Sequence, residues 1–396
     1  MADLLSLEEA RSRILEYVEP LGTEPVPVAE AAGRILAEPA RALVDLPPFR
    51  SSAMDGYALR VADTPGKLPV VFHIAAGRPS PSAVQPGEAM EISTGGVVAQ
   101  GADSVMPVEK VVKVDNSVEI AEAAQPGANI REVGRDVRAG DPVAAPGTRL
   151  GPAQVGALAA AGLEQVRCAR APRSAVLATG TELRPPGAPL APGEIYDSNG
   201  VMLAAQLSSA GAEVERLPVA GDDESEHRAA LEHGLGFDVL VTSGGVSVGP
   251  HDLVRKIARE LGVEEVFWGV AVQPGKPLSF GVRDKTLVFG LPGNPVSTLV
   301  AFELFVRPAL QALQGASDPG PHFEVGTLAA EVRRKDRDQL LRAHSKVSTT
   351  GVELQTVSGQ ESHMIVRAAS ADSLVLVPRG KGVVRRGESV RFLRLV

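Results

Sequence analysis

The 396-residue chain is 44% apolar and 22% charged, with a formal net charge of −8. It is too long for one ordinary core, so several domains are expected, and its acidity argues against nucleic acid or an anionic membrane as a partner. One cysteine, Cys168, excludes an internal disulfide framework and a cysteine-based zinc site. The histidines are scattered, no apolar run reaches the ~18 residues of a membrane span, and Met1-Ala2-Asp3 lacks the character of a signal peptide, so a cytoplasmic protein is expected.

Ser6 with Glu9 three residues on reads as a capping box, and Leu7, Ala10, Ile14 and Val18 share one face, predicting a helix over 6–19. Residues 47–138 read as all β, with strands near 70–74, 88–92, 104–108 and 110–114 between Pro and Gly turns. An Ala-rich helix is expected at 152–162. From residue 174 strands and helices alternate. Strands are expected at 175–178, 213–219, 238–241, 266–272, 278–282 and 287–290. Helices are expected from Asp197 or Ser198 to Ala210, at 224–233 and 252–261, and as one long apolar helix at 295–313. That order predicts a doubly wound α/β domain. After Gly315, short strands near 324–325, 346–347, 352–354, 374–377 and 389–396 predict a small, separate β domain.

The most informative stretch is Thr242-Ser243-Gly244-Gly245-Val246-Ser247-Val248-Gly249, followed by His251 and Asp252. It lies between an apolar strand and a helix start, where glycines admit a close ligand and free N–H groups favour an anion. Asp252 would repel that anion unless a cation intervenes. The pattern points to metal-assisted phosphate or oxyanion chemistry. Ligands of such sheets bind outside the C-terminal strand ends. Two further loops fall there, Thr179-Gly180-Thr181-Glu182 and Gly290-Leu291-Pro292-Gly293-Asn294-Pro295-Val296-Ser297, together with Asp222 and Asp223. Each alone is equally readable as a turn, and Asp222 or Asp223 as a helix N-cap. Three on one edge favour a site.

Gln273-Pro274-Gly275-Lys276-Pro277 fixes a lysine between prolines, a candidate oxyanion binder. In the β region, Arg50-Ser51-Ser52-Ala53-Met54-Asp55-Gly56-Tyr57-Ala58 brings one carboxylate among small residues; the plainer reading is an Asx-type turn at Asp55. Glu91-Ile92-Ser93-Thr94-Gly95-Gly96 and Glu132-Val133-Gly134-Arg135-Asp136 are weaker signals alone.

In this order, over nearly the whole chain, these segments resemble the MoeA-type molybdopterin molybdenumtransferases, the family that includes the gephyrin E domain. The resemblance also rests on Ile195-Tyr196-Asp197-Ser198-Asn199. It implies an elongated, dimeric, four-part subunit with an N-terminal helix in 1–24 packing on the α/β or linker region. A linker domain in 25–46 and 138–172, an inserted mostly-β domain in 47–137 carrying Asp55, a molybdopterin-binding α/β domain in 173–316 and a small C-terminal β-barrel in 317–396 complete it. The implied reaction inserts molybdate into adenylylated molybdopterin and releases AMP with Mg²⁺ assisting. By resemblance, Asp55, Thr94, Asp136, Glu182, Asp222 and Asp252 are the catalytic positions, with Asp222 and Asp252 holding the metal. Ser243, Gly244, Gly245, Pro292, Gly293, Asn294 and Pro295 line the substrate site, and Ser247, Lys276, Pro277, Arg342 and Ser362 match molybdate-binding positions. Gly269 and Gln273 stand where many members carry basic residues, so weaker anion binding is expected unless Arg255 or Lys256 compensates. The competing readings are a non-catalytic pterin-binding paralogue and a molybdopterin adenylyltransferase; the latter is a possible pathway partner.

Overall fold

The computed structural model describes residues 4–221, 223–246, 253–349 and 351–395. The first helix spans Leu7–Glu16 with the expected capping box: Ser6 Oγ accepts from the Glu9 N–H, and the Glu9 carboxylate accepts from the Ser6 N–H. It buries Leu7, Ala10 and Ile14 in the core of the α/β domain, beside Phe302, Phe305 and Leu310. Thr23–Pro27 then pairs antiparallel with Gln165–Ala169, and Ala40–Arg41 with Pro142–Ala144, so residues on either side of the β region close one unit around Leu36, Leu150, Leu158 and Cys168.

Between them lies a six-stranded sheet in the order Ser104–Pro107, Gly56–Leu59, Ala89–Ile92, Gly66–Ile74, Ser117–Ile120, Val111–Val114. Gly56 is held between backbones: a Cβ there would come within 3.0 Å of the Met106 carbonyl carbon, so only glycine passes without a shift.

The α/β sheet runs Glu213–Arg216, Arg173–Ala178, Val239–Ser243, Thr286–Leu291, Ser279–Arg283, Glu264–Trp268. The first four strands run parallel, Ser279–Arg283 runs against them, and Glu264–Trp268, paired antiparallel with it, runs with them again. Apolar layers on both faces, one around Phe280 and Phe302 and the other around Leu177, Leu240 and Ile257, give the doubly wound architecture. Two expected elements are broken. The strand expected at 266–272 ends at Trp268, because Gly269 takes φ +92 and turns the chain away. Val272–Gln273 then leaves the sheet and pairs in parallel with Asp338–Ser348. The long helix splits into Pro295–Ala301, a π turn at Phe302–Val306, and Arg307–Leu313. Pro308 accounts for this: its ring excludes the carbonyl four residues back, and the ladder widens instead of breaking. By length and composition residues 295–313 could cross a membrane, but 78% of that window is buried inside the protein, as in a core helix.

Five of the C-terminal strands close on themselves. Asp338–Ser348 pairs with Gly351–Thr356, which pairs with Phe323–Leu328, then Ser389–Arg394, then Ser373–Val377, which returns to Asp338–Ser348. The pair at 346–347 is thus the end of an 11-residue strand. This barrel shares a core with the α/β domain, for Leu340, Leu374, Leu376 and Leu393 pack in the same cluster as Phe305 and Leu310.

Candidate functional site

Three loops leave the C-terminal edge of the parallel strands and are tied together by side chains. Asn199, in the first turn of Ser198–Ser209, donates from Nδ2 to Ser243 Oγ at 2.8 Å and to the Gly293 carbonyl at 2.7 Å. The Thr179 N–H donates to the Ser243 carbonyl at 3.0 Å, and the Gly244 N–H to that of Leu291 at 3.2 Å. Thr298 Oγ1 fixes the Pro292 carbonyl at 2.6 Å. Gly244 (φ +91) and Gly245 (φ +64) need their missing side chains: a Cβ would stand 2.7 Å from Thr179 Oγ1 at the first and 2.6 Å from Val254 Cγ2 at the second. Ser243, Gly244, Gly245, Pro292, Gly293 and Asn294 therefore do converge.

Glu182 folds back over Gly180 on the same edge. Beside it, His227 Nε2 donates to the Gly221 carbonyl at 2.7 Å, fixing the turn before residue 222. Asp223 is the N-cap of Glu224–Gly234, accepting from the Ser225 hydroxyl and from the Ser225 and Glu226 N–H groups, and these bonds, the hydroxyl's foremost, hold its carboxyl below the usual range. The capping reading holds for Asp223. Asp222, Ser247 and Asp252 lie outside the described residues, and no group of three or more His, Cys, Asp or Glu is placed to hold a metal ion among the described ones.

In the inserted domain Asp55 makes no Asx turn on Gly56. Its carboxylate reaches across to Thr94, accepting from the N–H at 2.7 Å and the hydroxyl at 3.1 Å. Those two bonds, the backbone one foremost, lower its pKa. Asp136 is exposed, with its N–H on the Leu46 carbonyl. Among the described residues no hydrogen bond or ion pair joins Asp55, Thr94 or Asp136 to the α/β loops.

A cavity of about 410 Å³ opens where the α/β domain meets the barrel. Lys276, Pro277, Asn294 and Ser362 line it as expected, joined by Ser297, Lys335, Arg337 and His363. The parallel pairing of Val272–Gln273 with Asp338–Ser348 delivers the Lys276 turn to the barrel, and the Val296 N–H closes the other wall on the Ser362 carbonyl at 3.0 Å. Neither Lys276 nor Lys335 has a carboxylate partner among the described residues. Glu361 is the one acidic side chain in the lining. Asn294 lines this cavity and directly follows Gly293, so the cavity adjoins the loop edge.

Arg342 is a correction. It is 1% exposed and does not line the cavity. Its guanidinium donates to the carbonyls of Gly359 (2.7 Å), Met364 (3.2 Å) and Glu361 (3.4 Å) and to Gln360 Oε1 (3.2 Å). It is consumed in holding the loop that presents Ser362 and His363. Arg255 and Lys256 do not compensate for missing cations either: Arg255 grips Glu265 with two bonds at 2.8 and 2.9 Å, and Lys256 sits on Glu224 at 3.1 Å. Two further cations, Lys335 and Arg337, reach the cavity from the barrel; sequence reasoning passed them over in a charged run that reads as a solvated turn. At Gly269 a Cβ would meet Leu4 Cδ2 at 2.7 Å, so the local backbone disfavours any larger residue there.

These features define a class: a multidomain protein whose α/β ligand edge is completed by a β-barrel carrying cations. Residues 5–162 match the family model for the MoeA N-terminal region (domains I and II), 175–312 that of a probable molybdopterin binding domain, and 325–395 that of the MoeA C-terminal region (domain IV). The chain is 35% identical to the molybdopterin molybdenumtransferase of Haemophilus influenzae and 37% identical to molybdopterin molybdenumtransferase 2 of Mycobacterium tuberculosis, each over 98% of both chains. A crystal structure of a molybdopterin biosynthesis MoeA protein from Pyrococcus horikoshii superposes with a TM-score of 0.79 at 34% identity, covering 99% of each chain. Another from that organism gives 0.84 at 28% identity, over 99% of this chain and 100% of that one. The chain belongs to the MoeA family of molybdopterin molybdenumtransferases.

Proposed function

We propose that this protein works in molybdenum cofactor biosynthesis, inserting molybdate into adenylylated molybdopterin with release of AMP. The observation that carries this reading is the 410 Å³ cavity adjoining, through Asn294, the Ser243–Gly293 loop edge. A small dianion suits Lys276, Lys335 and Arg337 with hydroxyl donors from Ser297 and Ser362, while the glycine-lined edge suits a phosphate-bearing pterin. Lys276 and Lys335, with Arg337 sharing its charge with Asp336 at 3.8 Å, outweigh Glu361 and leave the lining positive.

Residues 222 and 252 follow strands on either side of Arg173–Ala178, whose own loop carries Glu182. Carboxylate oxygens on neighbouring loops are the hard donor set that suits Mg²⁺. In this reading Asp222 and Asp252 would hold Mg²⁺, which supplies charge to offset the phosphoanhydride. The chain's own residues do the rest: Asn199 fixes the loop spacing, Arg342 fixes the Ser362 loop, and Lys276 orients the oxyanion.

We further propose a cytoplasmic homodimer in which the Asp55–Thr94 pair completes the partner subunit's α/β edge. That no hydrogen bond or ion pair joins the pair to its own chain's edge among the described residues supports it. The deciding experiment incubates the protein with adenylylated molybdopterin, Mg²⁺ and molybdate and measures AMP. Molybdate-dependent AMP release is expected. Pterin binding without turnover would indicate a scaffold, and ATP-dependent adenylylation of molybdopterin an adenylyltransferase.

A further inference from the structure

A second cavity, of about 380 Å³, lies on another side of the molecule where the linker region, the helix Arg307–Leu313 and the barrel meet. Its polar wall holds three arginines. Two are neutralised by paired bonds to carboxylates: Arg307 to Glu303 at 2.6 and 3.0 Å, and Arg394 to Glu324 at 2.7 and 3.1 Å. Arg149 is not. Its guanidinium donates to Gln311 Oε1 at 3.1 Å and, at 3.5 Å, to the Ser209 carbonyl, both neutral acceptors, and no carboxylate pairs with it among the described residues. Arg149 is exposed, and partial desolvation, then the repulsion of Arg307, lower its pKa. The rest of the wall mixes apolar groups, with Pro308 and Leu393 buried and Pro319 and Pro321 alongside, with the polar Ser209, Gln311 and His322.

We propose that this cavity binds a small organic anion, its carboxylate or phosphate on Arg149 and its apolar body against Pro308 and Leu393. The geometry explains the composition. An uncompensated guanidinium beside a second one gains most from an entering anion, in the bidentate form that arginine favours. The volume falls in the range of small-molecule sites, and the apolar wall rewards an organic body over a bare inorganic ion. The π turn immediately before Arg307 sets the phase of that helix, so that Arg307 bonds Ser209 Oγ at 3.1 Å while Gln311 meets Arg149. A ligand here contacts both the α/β domain and the barrel, the two bodies that form the oxyanion cavity. The proposal stands without the catalytic reading.

The test titrates phenyl phosphate, benzoate and inorganic phosphate separately into the full-length protein by calorimetry, comparing wild type with Arg149→Gln, Arg149→Lys and Lys276→Ala. Phenyl phosphate or benzoate should bind saturably, at least about tenfold more weakly to Arg149→Gln, with partial recovery in Arg149→Lys and no change in Lys276→Ala. The preferred organic anion identifies the headgroup. Inorganic phosphate should bind this site more weakly than phenyl phosphate. Equal affinity in Arg149→Gln, loss in Lys276→Ala instead, or no saturable organic-anion binding to wild type by about 10 mM overturns the proposal.

Discussion

Asp55 shows how much a single side chain's partners decide. Its carboxylate is exposed, yet two donors from Thr94 favour the ionised form and lower its pKa. A folded pKa depressed in this way contributes stability above the unfolded carboxylate value, near 4, and loses it as pH falls through the folded value. Thr94→Val removes the hydroxyl and keeps the backbone donor, so the Asp55 pKa should rise part of the way back. Carbon-detected NMR titration of the Asp55 carboxyl checks this, and no movement would show that the hydroxyl bond is not made in solution. Arg342 makes the opposite case, a charge wholly committed to structure. Arg342→Met leaves several loop carbonyls unpaired and should cost roughly 2–4 kcal/mol in urea unfolding, with faster amide exchange over 359–364. The sequence shows an arginine and a serine at workable spacing; it does not show which of them turns inward. Lys276 was legible because Pro274, Gly275 and Pro277 fix its backbone, and Ser362 only through the family resemblance, whereas Lys335 and Arg337 were not, because a charged turn looks the same whether or not it faces a cavity.

Among the elements, periodicity and caps carried the helices well, and failures came where one residue redirects the backbone. Ser6 and Glu9 mark the first helix start unambiguously. Gly269 ends a strand that its apolar neighbours would otherwise extend, and Pro308 inserts a π turn into a continuous apolar pattern. Neither effect shows in hydrophobic spacing, since both act through φ or through one missing hydrogen bond. Gly56–Leu59 was similarly hidden, its glycine reading as a turn until the flanking strands are seen to press on it. The loop edge makes a sharp prediction. Gly244→Ala must hold φ +91 with a Cβ 2.7 Å from Thr179 Oγ1 and 2.8 Å from the Thr179 carbonyl oxygen. It should lose about 1–3 kcal/mol in thermal unfolding and displace the Ser243–Asn199–Gly293 tie. Native stability with unchanged pterin binding would show that the loop relaxes freely and is no fixed cradle.

At the scale of the whole molecule, the oxyanion cavity belongs to no single domain. Lys276 comes from the α/β domain on a turn whose preceding strand, Val272–Gln273, is already part of the barrel's hydrogen bonding. Lys335 comes from the barrel, where the Gly380 N–H holds its carbonyl at 2.8 Å and the Arg334 N–H bonds the Gly382 carbonyl at 3.0 Å. The shared core through Leu340 and Leu374 keeps the two walls in register. In the proposed reading, two cations on separate bodies close on one small dianion, while the pterin is left to the loop edge. Lys276→Ala and Lys335→Ala should each raise the molybdate concentration for half-maximal transfer by about tenfold or more, with pterin affinity nearly unchanged. Gln273 lines the same cavity, so Gln273→Lys in the Lys335→Ala background should restore part of the loss by returning a cation from the other wall. The two lysines act on one ligand, so their effects should fail to add in the double variant. Molybdate titrations of AMP release, beside direct measurement of pterin binding, separate the outcomes. If molybdate dependence stays at the native value and pterin affinity falls instead, Lys276 belongs to the phosphate and the cavity is not where the oxyanion waits.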